Sequence, residues 1–161
     1  MSALPLGVVL DFLKLVWAVD HGLQRTSRRM ERELGITGPQ RFVLRLVGRF
    51  PGITAGQLAD ALDVHPSTVT GILQRLERRK LLVRRSDPRD RRRSFLALSD
   101  AGRALNVDPD GTVEGAVARV LETLPKGKVS NAREVLTALA DALDALDALD
   151  AGDEVRRAAG Q

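Results

Sequence analysis

The sequence predicts a mainly helical fold that carries one short, two-stranded β-hairpin near its middle. Three observations lead there. Leu, Ala, Arg and Asp dominate the 161 residues, and apolar side chains recur at helical spacing along most of the chain. Breaker pairs at Gly38-Pro39 and Pro51-Gly52, with Pro66 further on, cut that pattern into short segments. Strand-like runs are scarce: Leu81–Arg85 and Arg93–Leu98 are the clear pair, and an arginine-rich loop joins them. The length suits one domain over residues 1–161, and 43% apolar with 29% charged residues predicts a soluble, folded one.

Each element has its own justification. Leu6, Val9, Leu10, Leu13, Val16, Trp17 and Leu23 place a long first helix over about residues 6–33, whose charged second half, Arg25–Glu33, is expected to be the less buried. Gly35 and Gly38-Pro39 end it, and Pro39 suits the first turn of a second helix that buries Phe42, Val43, Leu46 and Val47 and stops at Pro51-Gly52. Thr54-Ala-Gly-Gln57 is a capping-box pattern and opens a third helix with Leu58, Ala59 and Leu62 inward. The turn Asp63-Val64-His65 leads to Pro66 at the start of a fourth. After the hairpin, Ser99 or Asp100 caps a fifth helix, which the breaker cluster Asn106–Gly111 interrupts. Helical pattern resumes to about Leu124, and a final helix spans roughly 129–150. Its Asp-Ala-Leu repeat, Asp141–Leu149, extends a stripe of Leu136, Leu139, Leu143 and Leu146, while its aspartates oppose the macrodipole and predict fraying beyond about Leu149.

Net charge is only +4, but it is unevenly spread. Residues 66–98 hold ten basic and three acidic side chains, whereas residues 99–161 hold seven basic and twelve acidic. A basic middle with an acidic tail suits a polyanion that touches only the middle. The fourth helix sits there. Val69, Ile72, Leu73 and Leu76 form its core stripe. At about 100° per residue the opposite face is Ser67, Gly71, Gln74 and Arg78, with Thr70 on one flank and Thr68 and Arg75 on the other. This face is short, hydrogen-bonding and free of carboxylates. In a major groove about 12 Å wide, Gln pairs with adenine, Arg with guanine and a Thr methyl meets thymine. Any surface helix has a polar outer face, so the hairpin weighs more. Six arginines fall between Arg84 and Arg93 with only Asp87 and Asp90 among them. Such a loop suits a narrow minor groove, and Asp90 is placed to orient a guanidinium, that of Arg92. Two short helices and an arginine-tipped hairpin make up a winged helix-turn-helix over residues 36–105. Its candidate DNA contacts are Thr54, His65, Ser67, Thr68, Thr70, Gly71, Gln74, Arg75, Arg78, Arg89, Asp90, Arg91 and Arg92. His65 stands at the cap position of the fourth helix, where it either caps or faces phosphate.

Residues from about Leu34 to Leu105 resemble the multiple-antibiotic-resistance regulator (MarR) family of winged-helix transcription factors. The resembling pieces are Ile53-Thr-Ala-Gly-Gln-Leu-Ala-Asp-Ala-Leu62, Pro66-Ser-Thr-Val-Thr70, Leu73-Gln-Arg-Leu-Glu77, Asp87-Pro-Arg-Asp-Arg-Arg92 and Leu98-Ser-Asp-Ala-Gly102. The resemblance implies a homodimer joined through dimerisation helices at residues 1–35 and 106–161. It implies a repressor on a pseudo-palindromic operator in double-stranded DNA, released by a small aromatic or phenolic effector. It also implies that Arg75 contacts phosphate or base and that Arg92, with Asp90 as partner, is the minor-groove residue. The chain departs from the family at three places. Gly71 stands where a basic residue is frequent, Lys80 where a glycine usually ends the recognition helix, and Asp108-Pro-Asp-Gly111 inside what is expected to be a long fifth helix.

For an effector, Trp17 and His21 lie one turn apart, although a core Trp17 and a surface or interface His21 is the simpler reading. Arg41 and Arg45, also one turn apart, either receive a carboxylate or are solvated. The absence of cysteine removes thiol sensing and thiolate metal sites, and fits a cytoplasmic protein. The absence of tyrosine argues against a stacking-rich pocket. Two histidines, no paired acids at metal spacing and no phosphate-cradling glycine motif predict a protein without cofactor, metal or enzymatic chemistry. Asp11 and Lys14 interrupt the apolar start, which therefore reads as neither a signal peptide nor a membrane span but as an amphipathic helix buried against a partner. The competing reading is a protein-interaction or ligand-sensing module that kept the fold and uses its acidic final helix. A sequence-tolerant architectural DNA binder is a third.

Overall fold

Seven helices and two strands follow one another among the described residues, 6–86, 94–106 and 111–159, of the computed structural model. Their order is α1 (Gly7–Leu34), α2 (Gly38–Arg49), α3 (Ala55–Leu62), α4 (Pro66–Arg78), β1 (Leu82–Ser86), β2 (Ser94–Leu98), α5 (Asp100–Leu105), α6 (Val113–Thr123) and α7 (Lys126–Ala159). One unit runs as far as Ala116 and a second begins at Val117. The core of the first gathers Ile36, Val43, Leu44 and Val47 with Leu58, Val69, Leu73 and Leu76, and closes on Leu82, Leu96 and Leu98 of the hairpin.

Local chemistry fixes where these helices begin and end. Thr37 and Gln40 form a capping box at α2, and Thr54 and Gln57 form another at α3, each satisfying two backbone donors that a helix start leaves unpaired. Gly35 ends α1 with φ 71°, a left-handed conformation that favours glycine. Lys80 takes the same role after α4 with φ 56°. There the Leu81 N–H donates to the Leu76 carbonyl at 2.9 Å and the Lys80 N–H to the Glu77 carbonyl at 2.8 Å, the paired bonds of a Schellman turn. Leu76 and Leu81 are both buried, which supplies the apolar contact of that motif. The missing glycine is therefore replaced by a lysine held in a glycine conformation. Ser99 clamps the turn from the other side: its hydroxyl donates to the Lys80 carbonyl at 2.6 Å and its N–H to the Leu81 carbonyl at 3.1 Å. Gly102 lies so close that a Cβ there would stand 2.0 Å from the Leu81 oxygen.

Four expectations are corrected. In α1 the charged second half does pack, with Met30 buried and Ser27 accepting from the Gly38 N–H at 2.8 Å, while the apolar first half, expected to lie against a partner, is exposed in the single chain. Trp17 is accordingly 69% exposed and does not belong to the core. In α2 the buried stripe is Gln40, Val43, Leu44 and Val47, at i, i+3, i+4 and i+7, which turns Phe42 outward at 56% exposure and leaves Leu46 only partly buried. Finally, α7 starts at Lys126, where the Pro125 carbonyl accepts from Lys128 and Val129, and stays helical to Ala159. Acidic side chains near a helix end cost only about 0.3–1 kcal/mol each, too little to stop it at Leu149.

The break after α5 is bridged by arginines. Arg41 donates to the Leu105 carbonyl at 2.6 Å and Arg45 to the Asn106 carbonyl at 2.7 Å, serving acceptors that the end of α5 leaves open. Arg29 reaches the Gly111 carbonyl. Thr112 then opens α6, its hydroxyl accepting from the Gly115 N–H at 3.2 Å.

Candidate nucleic-acid interface

The buried side of α4 is Val69, Leu73 and Leu76, with Ile72 partly covered, so the helix is oriented as its apolar spacing requires. Ser67, Thr68, Thr70, Gln74, Arg75 and Arg78 are consequently exposed, and Gly71 sits among them with nothing within 4 Å of where a Cβ would be. His65 caps the helix through Nδ1, which accepts from the Ser67 N–H at 3.3 Å and lies 2.7 Å from the Ser67 hydroxyl. Because the backbone N–H must donate, Nδ1 carries no proton. The Ser67 hydroxyl then donates as well, and the ring proton resides on Nε2. Thr70 donates to the Pro66 carbonyl at 2.9 Å. Both hydroxyls therefore offer lone pairs outward, whereas Gln74 and Arg75 offer donors. Thr54 spends its hydroxyl on the α3 cap, accepting from the Gln57 N–H at 3.2 Å.

The stem of the hairpin is fastened to this helix. β1 and β2 pair antiparallel in the register Leu82↔Leu98, Arg84↔Leu96 and Ser86↔Ser94 on one face, with Val83↔Ala97 and Arg85↔Phe95 on the other. Arg84 thus shares the side of Leu82, and its Nε donates to Oε1 of Glu77 on α4 at 2.6 Å. β2 is tied inward too, the Leu96 N–H donating to the Ile53 carbonyl at 2.9 Å. This pair of Glu77 and Arg84 escaped the sequence reading; the signal was a lone acid within the basic run Arg75–Arg85. Residues 87–93, including Arg89, Asp90, Arg91 and Arg92, lie outside the described residues.

The candidate effector residues divide. Trp17 and His21 are exposed neighbours with ring centroids 6.1 Å apart. Arg41 is neither solvated nor open to an outside carboxylate: it is 1% exposed and its Nε pairs with the Glu114 carboxylate, besides its bond to Leu105. A buried guanidinium needs such partners, since an unpaired charge in the core would be prohibitive. Arg45 is partly buried and bound to Asn106. Among the described residues no cluster of three metal-ligating side chains forms, and no helix is long and apolar enough to cross a membrane.

Known proteins share this arrangement. The model of the MarR family matches residues 34–93. The HTH-type transcriptional repressor MdtR of Bacillus subtilis is 30% identical over 113 residues, a stretch covering 70% of this chain and 72% of that protein. The crystal structure of the S. aureus MepR–DNA complex superposes with a TM-score of 0.67 at 23% identity, over 82% of this chain and 97% of that one, and so shares its fold. A MarR-family transcriptional regulator from Rhodococcus sp. RHA1 superposes with a TM-score of 0.61 at 26% identity, over 86% of this chain and 97% of that one. Sequence over most of a repressor's length and a helix–hairpin lobe of the same build agree: the chain belongs to the MarR family of winged-helix transcriptional regulators.

Proposed function

We propose that this regulator is a homodimeric repressor that lays α4 in the major groove and the arginine-rich loop 87–93 in the neighbouring minor groove or against its backbone. Two lobes would then meet the half-sites of a pseudo-palindromic operator about one helical turn apart. The observation that carries the reading is the carboxylate-free outer face of α4, where Ser67, Gln74 and Arg78 stand exposed around Gly71, with Arg75 beside them. MdtR is named a repressor and MepR has been crystallised on DNA, which fits the same reading. Self-association is supported by the unpartnered apolar side chains of α1, such as Val9, Leu13 and Trp17, and of α7, such as Leu136, Leu143 and Leu146. An aromatic effector would meet the exposed rings of Trp17 and His21. The chain acts by binding and needs no catalytic group.

Selection of bound sequences from a random duplex library tests this directly. A recovered motif with twofold symmetry is the expected result. Gln74→Ala should then change sequence preference more than total affinity, and Arg92→Ala should weaken binding and flatten its salt dependence. Absence of any duplex binding at low salt would leave the protein-interaction module instead.

A further inference from the structure

A carboxylate beside a DNA-binding surface repels phosphate, yet Glu77 stands on α4 amid Arg75, Arg78, Arg79, Lys80, Arg84 and Arg85. Among the described residues from 66 to 86 it is the one acidic side chain. Its place on the helix is specific. At about 100° per residue Glu77 falls beside Thr70, on the flank between the core stripe and the outer face, and across from Arg75. From that flank Oε1 accepts from Arg84 Nε at 2.6 Å. Arg84 is in turn fixed by the pleat, on the same side of β1 as buried Leu82 and opposite buried Leu96. The bond joins the last full turn of the helix that would read the groove to the strand that feeds the arginine-rich loop.

We infer that Glu77 is a positioning residue for DNA recognition: through Arg84 it fixes the direction of the hairpin relative to α4, so that helix and hairpin engage one duplex in a single register. The inference rests on the DNA-binding reading above. Glu77 touches no base or phosphate. It also consumes a guanidinium that would otherwise add to sequence-independent attraction, which exchanges general affinity for a defined geometry.

Charge and geometry predict opposite outcomes, and that makes the inference testable. Glu77→Gln removes a negative charge from the surface, so pure electrostatics predicts tighter binding to every duplex. Positioning predicts that affinity for the library-selected duplex falls by about three- to fivefold, the reach of a partly exposed ion pair, while affinity for random duplex of equal length stays level or rises. The exchange Glu77→Arg with Arg84→Glu keeps total charge and should restore the ratio of selected to random affinity. Thermal melting of each variant is measured alongside. Tighter binding of Glu77→Gln to both duplexes would overturn the inference, as would an equal loss on both with a lowered melting temperature, or an exchange variant no better than the single one. If the unaltered chain selects no motif, the DNA-binding reading itself has failed, and the two failures are thereby distinguished.

Discussion

Replacing Lys80 with glycine should make the protein more stable. Lys80 holds φ 56°, and a left-handed conformation costs an L-residue about 1–2 kcal/mol. Glycine escapes that cost but surrenders about 0.5–1 kcal/mol more chain entropy on folding. The turn itself survives the change, because its bonds from Lys80 and Leu81 and the bond from Ser99 all use the backbone of residue 80 or its neighbours. The difference leaves a gain of about 0.5–1 kcal/mol, which for a chain of this size raises Tm by about 1–4 °C. Thermal unfolding at one fixed protomer concentration measures it, since an associating protein changes its Tm with concentration. Lys80→Ala is the control: it removes the same amine and methylenes but keeps the Cβ, so it should show no gain. Equal Tm values for the Gly and Ala variants, or a loss in the Gly variant, would refute the conformational argument.

Three other outcomes are expected. Gly102→Ala would drive a Cβ into the Leu81 carbonyl, 2.0 Å away on rigid backbone, and should cost about 2–3 kcal/mol; a melting temperature unchanged from the parent would contradict that close approach. Glu114→Gln removes a negative charge from beside the buried guanidinium of Arg41, and because Glu114 is 33% exposed the loss should be about 2 kcal/mol, below that of a fully buried pair. Chemical denaturation reads this as a lower midpoint at constant slope. Trp17, the single tryptophan of the chain and largely exposed in the monomer, should shift its fluorescence to the blue as protein concentration rises through the dimerisation range; emission independent of concentration would remove α1 from the interface.

How much of this was legible in the residues depends on the range over which each choice is made. The capping box at Thr54 and Gln57 is local and was read, and the identical pattern at Thr37 and Gln40 was just as legible but was overshadowed by Gly38-Pro39. The outer face of α4 was legible because its apolar positions define one phase and no other. In α2 they do not: apolar residues fill positions 42, 43, 44, 46 and 47, several stripes compete, and packing against α4 and β2 selects the one that buries Leu44 and expels Phe42. Arg41 shows the same limit from the polar side. Charge alone points it outward, whereas Leu105 and Glu114, which it binds, lie 64 and 73 residues away in sequence. Lys80 carries no local signal, since the buried pair of Leu76 and Leu81 imposes its conformation against the residue's own preference.

The bond from the Leu96 N–H to the Ile53 carbonyl changes what kind of object the hairpin is. A stem that shares its hydrogen bonding with the segment before α3 and buries Leu82, Leu96 and Leu98 cannot be excised and expected to hold its shape as a peptide. Its amide at Leu96 should exchange with solvent only when the whole lobe opens. Substitutions along residues 82–86 and 94–98 must therefore answer to the leucines of three helices, so the stem and the helical core can change only together.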